Sequence, residues 1–279
     1  MQFYELSTIA YVNSAHKASA LIKKIGLVFL GRFKKEHLFK YIIIIMKNAL
    51  ITGSTKGMGR AISISFANEG LNVAICSRNE QELLKFKDKL QSINPSIKVF
   101  AQVTDGSNKA ELLKFAAGAQ KELGFIDVVV NSLGMFAPGS ILDEAEGEFE
   151  KQLHTNLMPT YELYRHFGKT MIAARKGHFF NICSVASLNP FPQAGTYSLT
   201  KYALLGLTKV MRLEMQEHSV KVTAIIPGST LTDSWKDAVV DKDTMVLPED
   251  IASAIINIYQ MSPGANVDEM IIKPAQGQL

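Results

Sequence analysis

Asn48-Ala49-Leu50-Ile51-Thr52-Gly53-Ser54-Thr55-Lys56-Gly57-Met58-Gly59 is the stretch on which the fold turns. Residues 48–52 read as a short apolar strand that runs straight into a Gly-x-x-x-Gly-x-Gly turn. Beyond the turn Met58, Ala61, Ile62 and Phe66 fall at helical spacing, and Glu69-Gly70 closes that helix with a glycine at its carboxyl end. Glycines let the backbone turn tightly and approach a pyrophosphate closely, and the amino end of a helix stabilises the phosphate charge. In isolation the same residues also fit an ordinary glycine-rich turn; their place directly after a first strand favours phosphate binding.

The pattern repeats outward from this unit. Residues 73–76 form a second apolar strand, and Asn79 with Glu82 three residues on caps a helix whose apolar stripe is Leu83, Phe86, Leu90 and Ile93. Further strands are expected at 97–101, 128–130, 178–183, 220–226 and 270–272. Helices are expected over 105–123, 149–156, 159–175 and 195–218, and a last one opens at Pro248-Glu249-Asp250. Continuous apolar strands separated by helices demand a parallel sheet covered on both faces. Right-handed crossovers make it one α/β domain of the Rossmann type, a doubly wound sheet that binds ligands at the carboxyl ends of its strands.

Composition agrees: 279 residues, 47% apolar and 20% charged, describe a globular chain long enough to bury a large core. Cys76 and Cys183 end apolar runs and form no Cys-x-x-Cys pair, which excludes a disulfide framework and a zinc site and suits the cytoplasm. No run of about 18 apolar residues exists, so no membrane span is expected. Residues 1–45 carry seven Lys/Arg against two Glu, whereas the remainder carries 23 basic and 24 acidic groups. A balanced body argues against nucleic acid as a partner. Residues 15–33 have the character of a basic amphipathic helix, with Leu21, Ile25, Val28 and Phe29 on one face. Membrane-surface attachment and organelle targeting are two readings of it. The other is a start codon assigned too far upstream, with Met46 beginning the domain 46–279, which needs nothing from the extension 1–45.

Chemistry concentrates at a few positions. The second strand ends Cys76-Ser77-Arg78, without the acidic residue that holds the ribose hydroxyls of NAD; Ser77, Arg78 and Lys56 instead suit the 2′-phosphate of NADP(H). Tyr197-Ser198-Leu199-Thr200-Lys201 places a phenol and an ammonium on one helical face. An ammonium nearby favours phenolate and brings a tyrosine toward useful acid–base behaviour near neutrality. Ser184, thirteen residues before Tyr197, ends the fifth strand, where a hydroxyl can hydrogen-bond a carbonyl.

Taken together these residues resemble the short-chain dehydrogenase/reductase family over essentially all of 46–279. The glycine turn matches at Gly53, Gly57 and Gly59. Asn131-Ser132-Leu133-Gly134 corresponds to the family's Asn-Asn-Ala-Gly, Asn156 to its active-site Asn, and Pro227-Gly228 with Thr232 to the segment at the nicotinamide end. The resemblance implies a catalytic set of Asn156, Ser184, Tyr197 and Lys201. Tyr197 would exchange the proton of the carbonyl or alcohol oxygen, Lys201 would assist it and bind the nicotinamide ribose, Ser184 would polarise the carbonyl, and Asn156 would hold a relay water. It implies NADP(H) contacts from Gly53, Ser54, Thr55, Lys56, Gly57, Met58, Gly59, Ser77, Arg78, Val103, Asn131, Gly134, Tyr197, Lys201, Pro227, Gly228 and Thr232, and no metal. Three departures stand out: Ser132 and Leu133 in place of Asn and Ala, with Leu133 adding bulk near the cofactor; Gln102 in place of an adenine-contacting Asp; and a chain end at 272–279 that lacks the usual Asp-Gly-Gly. That ending, with 247–252, is closer to bacterial sepiapterin-reductase-like members than to 3-oxoacyl-carrier-protein reductases.

The loops 188–195 and 229–246 offer Leu188, Pro190, Phe191, Pro192, Trp235 and Met245, facing Met135 and Phe136, an apolar lining for a flat or hydrophobic carbonyl compound or alcohol. Asp233 and Asp237 read as solvated loop charges. Apolar residues on more than one face of 159–175 and 195–218, among them Leu163, Phe167, Met171, Leu204, Leu207 and Met211, fit the homodimer or homotetramer that the resemblance implies, although core packing explains part of the pattern. The function expected is NADP(H)-dependent reduction of a ketone, dicarbonyl or pterin-like carbonyl. The alternatives are a 3-oxoacyl thioester reductase and, in other classes, a non-catalytic nucleotide sensor or a membrane-recruited protein.

Overall fold

The computed structural model describes residues 47–235 and 241–277; the extension 1–45, its amphipathic stretch and Asp237 lie outside the described residues. Seven strands, β1 (Asn48–Ile51), β2 (Asn72–Ser77), β3 (Val99–Val103), β4 (Val128–Asn131), β5 (His178–Ile182), β6 (Lys221–Pro227) and β7 (Glu269–Ile272), form one sheet in the order β3-β2-β1-β4-β5-β6-β7. Every pairing is parallel. The order reverses between β1 and β4, so a crevice opens at their carboxyl ends.

Alternation along the strands feeds two cores. Ala49, Ile51, Val73, Ile75, Val128 and Val130 point to one face, which is covered by helices α1 (Gly57–Asn68), α2 (Glu80–Ile93) and, through Ile251 and Ile255, a helix at Pro248–Tyr259. Leu50, Ala74, Val129 and Phe179 point to the other face, covered by α3 (Lys109–Leu123), α5 (Met158–Ala174) and α6 (Gly195–Met215). A short α4 (Glu148–Asn156) precedes α5, and the helix at Pro248–Tyr259 becomes α7. At the amino edge the buried amide of Asn72 donates to Asn48 Oδ1 at 2.8 Å, and Asn48 Nδ2 donates to the carbonyls of Leu123 and Phe125. These amides set the β1–β2 register where apolar residues would leave backbone groups unpaired.

Element boundaries differ from the periodicity by two or more residues at three places. β3 begins at Val99, opposite Val73, because the preceding Ile97, although buried, closes a turn onto the Asn94 carbonyl. Asp105 does not open α3: its carboxylate accepts from the Ser107 N–H and hydroxyl, and Asn108 caps the helix through Ala110 and Glu111. α6 ends at Met215 and tightens into a 3₁₀ turn at Gln216–His218 before Ser219 takes φ 58°. Among the described residues no helix is long and apolar enough to cross a membrane.

Candidate active site

The glycine turn is shaped by contact distances. A Cβ on Gly59 would lie 2.2 Å from the Gly53 carbonyl oxygen, so α1 starts closer to the end of β1 than any side chain permits. Gly53 itself sits at φ 61°, where glycine is favoured. Lys56 is the N-cap of α1 but supplies no capping hydrogen bond, and no acidic residue occupies the first turn. The N–H groups of Gly57, Met58 and Gly59 therefore lack intrahelical acceptors at the carboxyl edge of the sheet. Ser54 turns inward, bonding the Ile51 carbonyl and accepting the Cys76 N–H at 3.2 Å, while the Met58 side chain packs on the core. Thr55 Oγ1 donates to Ser77 Oγ at 3.2 Å, pinning the turn to the end of β2. Thr232, from the loop after β6, places its methyl 3.1 Å from the Cβ position of Gly57.

The loop after β4 is pinned by Thr52, whose Oγ1 accepts the N–H groups of both Ser132 and Leu133 at 3.1 Å. Asn131 is buried; its Nδ2 donates to Asn181 Oδ1 at 2.7 Å and its Oδ1 has no partner among the described residues. Gly134 leaves room for two side chains, since its Cβ position is 3.6 Å from both Asn156 Oδ1 and Lys201 Nζ. Lys201 is buried, donates to the Ile182 carbonyl at 3.0 Å, and stands 5.8 Å from the centroid of the Tyr197 ring. The Tyr197 hydroxyl has no hydrogen-bond partner among the described residues. Ser184 caps a 3₁₀ turn at Val185–Ser187: its Oγ accepts from the Ala186 N–H at 3.1 Å, and its N–H donates to Ser187 Oγ at 3.2 Å. Because Ser184 Oγ accepts there, its own hydrogen is available to an incoming carbonyl oxygen.

Asn156, at the end of α4, has its side chain fully engaged. Its Oδ1 accepts the Met135 N–H at 2.8 Å, and Nδ2 donates to the Met135 carbonyl and to Thr200 Oγ1. One amide hydrogen thus holds residue 135 and the other Thr200 on α6, and the residue after 135, Phe136, meets the Tyr197 ring edge to face at 5.0 Å.

The sequence profile of the short chain dehydrogenases matches residues 47–243. The chain belongs to this family. It is 29% identical over 240 residues to a sepiapterin reductase of Chlorobaculum tepidum, covering 82% of this chain and 97% of that protein. An uncharacterized oxidoreductase of Staphylococcus aureus strain N315 is 31% identical over 236 residues with the same coverage. Among solved structures, a metagenomic short-chain oxidoreductase in complex with NADP superposes with a TM-score of 0.72 at 26% identity, covering 82% of this chain and 97% of that one. This short-chain dehydrogenase is accordingly an oxidoreductase.

The departures from the family pattern are accommodated by neighbours. Leu133 leans over Gly106, where a Cβ would stand 2.6 Å from Leu133 Cδ2, so its bulk is absorbed by a missing side chain. Gln102 points at α3, with its Oε1 3.2 Å from the Cβ position of Gly118, and Val103 ends β3 half-exposed. Pro227 ends β6 and the Gly228 N–H donates to the Ile272 carbonyl at 2.7 Å. Of the expected substrate lining, Met245 is buried, Leu188 and Phe191 pack against a cluster with Cys183 and Leu204, and Trp235 stands beside Thr55, Arg60 and Thr232 in a cleft of about 490 Å³. Of that set, Phe136 packs against the Tyr197 ring. Leu163, Phe167, Met171, Leu204 and Met211, expected in part to face a partner, are all buried within the chain, and Leu207 packs partly buried against them. Burial pushes the thiols of Cys76 and Cys183 up to about 12 and 11.

Sequence patterning missed Thr52, Thr200 and Glu144, whose carboxylate accepts from Thr196 Oγ1 at 2.8 Å beside Tyr197. Thr52 had a signal, a hydroxyl at the end of the first strand; Glu144 had none, because its contact spans 52 residues. Gly59→Ala must displace the β1–α1 turn, and overpacking of this kind costs about 1–3 kcal/mol. A lowered denaturation midpoint in urea is expected; an unchanged midpoint would contradict the close approach.

Proposed function

We propose that this short-chain dehydrogenase is an NADP(H)-dependent carbonyl reductase for flat or apolar ketones and dicarbonyls, pterin-like compounds included, with 46–279 as its catalytic domain. The observation that carries the reading is the convergence of Ser184, Tyr197, Lys201 and the Asn156-held residue 135 at the same sheet edge as the uncapped start of α1. The residues present fit a phosphorylated dinucleotide. Free N–H groups at Gly57, Met58 and Gly59 suit a pyrophosphate, the glycines leave the space it needs, and Lys56 and exposed Arg78 supply cations where β1 and β2 end. The NADP complex of the metagenomic relative supports the same cofactor.

When bound, the nicotinamide supplies or accepts the hydride. The chain's own contribution is to orient the carbonyl and handle its proton. Ser184 Oγ–H donates a hydrogen bond to the carbonyl oxygen, and Tyr197 Oη gives that oxygen a proton in reduction and removes it in oxidation. Lys201, buried one helical turn from the tyrosine and fixed by the Ile182 carbonyl, presents its ammonium beside the Tyr197 ring. Asn156 acts by locking the Met135 peptide, which sets Phe136 against Tyr197 and gives the substrate an aromatic wall. The sepiapterin reductase among the relatives favours a flat substrate of this kind.

The exposed residues Leu199, Tyr202, Val210 and Leu213 form one stripe on α6, with Gly206 in its middle and nothing within 4 Å of the Gly206 Cβ position. Two copies can pack such stripes against each other about a two-fold axis, which supports a homodimer through this face, or a homotetramer built on it. Two buried free cysteines suit the cytoplasm.

Turnover of NADPH with sepiapterin or a diketone is expected for the full chain, and Tyr197→Phe is expected to lose at least about a thousandfold in kcat while keeping its NADPH Kd within about threefold. Activity confined to an acetoacetyl thioester would move the substrate class to thioesters. Tight NADPH binding with no turnover of any carbonyl would overturn the enzyme reading in favour of a sensor. Sedimentation velocity reads the assembly, and a monomer at micromolar concentration would contradict the α6 interface.

A further inference from the structure

Glu82 is placed where its local role is unfilled. It is the third residue of α2, the position from which a capping box returns a carboxylate to the N-cap N–H. Only half of that box forms. The Asn79 side chain accepts the Glu82 N–H at 3.0 Å, but the Asn79 N–H donates to Ser77 Oγ at 3.3 Å. The Glu82 carboxylate reaches across to α1 instead, and its Oε1 lies 3.4 Å from Lys56 Nζ. Lys56 is the N-cap of α1 and stands inside the glycine turn. The neighbouring cation, Arg78, likewise has an acid nearby: Asp105 is held below the usual carboxylate range, first by the Ser107 hydroxyl, with Arg78 contributing.

We propose that Glu82 sets the preference between phosphorylated and unphosphorylated dinucleotide by competing with the 2′-phosphate for the Lys56 ammonium. The inference rests on the NADP(H) reading and deepens it. Both side chains of the pair are well exposed, at 61% and 43%, so the ion pair is weakly held and open to exchange. A phosphate monoester near neutrality carries about 1.5–2 negative charges against the carboxylate's one, so it displaces Glu82 from Lys56. The displaced carboxylate cannot go far, because the Asn79 cap fixes the first turn of α2 beside the β1–α1 turn. The phosphate therefore pays twice, once to break the pair and again in repulsion from Glu82. NADH carries no 2′-phosphate and meets neither cost, so Glu82 narrows a preference that Lys56 and Arg78 would otherwise make wide.

Calorimetric Kd values for NADPH and NADH on the full chain, on Glu82→Gln, on Lys56→Met and on the double variant test this. Glu82→Gln is expected to tighten NADPH about three- to tenfold, the range for one screened charge near a surface. NADH should stay within about twofold. In the Lys56→Met background the same substitution should change NADPH binding by less than half of that factor. An NADPH/NADH ratio that does not move, or that moves toward NADH, overturns the inference while leaving the cofactor reading intact. An equal gain with and without Lys56 overturns the competition for the ammonium. If the parent chain binds neither nucleotide, the cofactor reading itself falls, and this inference falls with it.

Discussion

A single methyl group on Gly59 would stand 2.2 Å from the carbonyl oxygen of Gly53, and the carboxyl edge of the sheet is organised around that close approach. It brings the amino end of α1 over the end of β1, with its first three N–H groups lacking intrahelical acceptors and, among the described residues, no side chain capping them. Neighbouring loops are fastened to the same place. Thr52 accepts two N–H groups from the loop after β4, Thr55 reaches Ser77 at the end of β2, and Thr232 brings the loop after β6 against Gly57. The strand ends converge because parallel β1, β2, β4, β5 and β6 all finish on one edge.

The second half of the site hangs from a buried amide. Asn156 lies where α4 gives way to α5, and it treats the Met135 peptide as a strand would treat its partner, accepting its N–H and donating to its carbonyl. That grip fixes the entrance beside Tyr197, and Thr200, one turn along from Tyr197 on α6, completes it. Lys201 is immobilised by the carbonyl of Ile182, two residues before Ser184, so the candidate lysine and serine are tied to the same strand end. Rigid elements, rather than long loops, hold the candidate groups.

The order of elements and the parallel sheet were legible in the sequence because they follow from local periodicity, whereas the grouping of Gly53, Gly57, Gly59, Ser184, Tyr197 and Lys201 was an expectation carried by the family resemblance. Contacts that depend on tertiary packing were not legible. The apolar residues of α5 and α6 look surplus in the sequence, yet Leu163, Phe167 and Met211 are consumed by the core, and the exposed stripe consists of others. Leu133 looks like an obstruction until Gly106 is seen beneath it. The Glu82–Lys56 pair was invisible because capping chemistry directs that carboxylate to its own helix, and only the close approach of α1 and α2 redirects it.

The proposed function requires that one sheet edge, built on the β1–α1 turn, receive a nucleotide that spans from β2 to β6. Hydrogen exchange of the full chain with and without NADPH tests it most directly. Slowed exchange is predicted in peptides covering 52–60, 131–136 and 227–232 together, with the amino-edge peptides around Asn48 and Asn72 unchanged. Protection confined to the amino edge, or absent from the β1–α1 turn while NADPH is bound, would contradict the account.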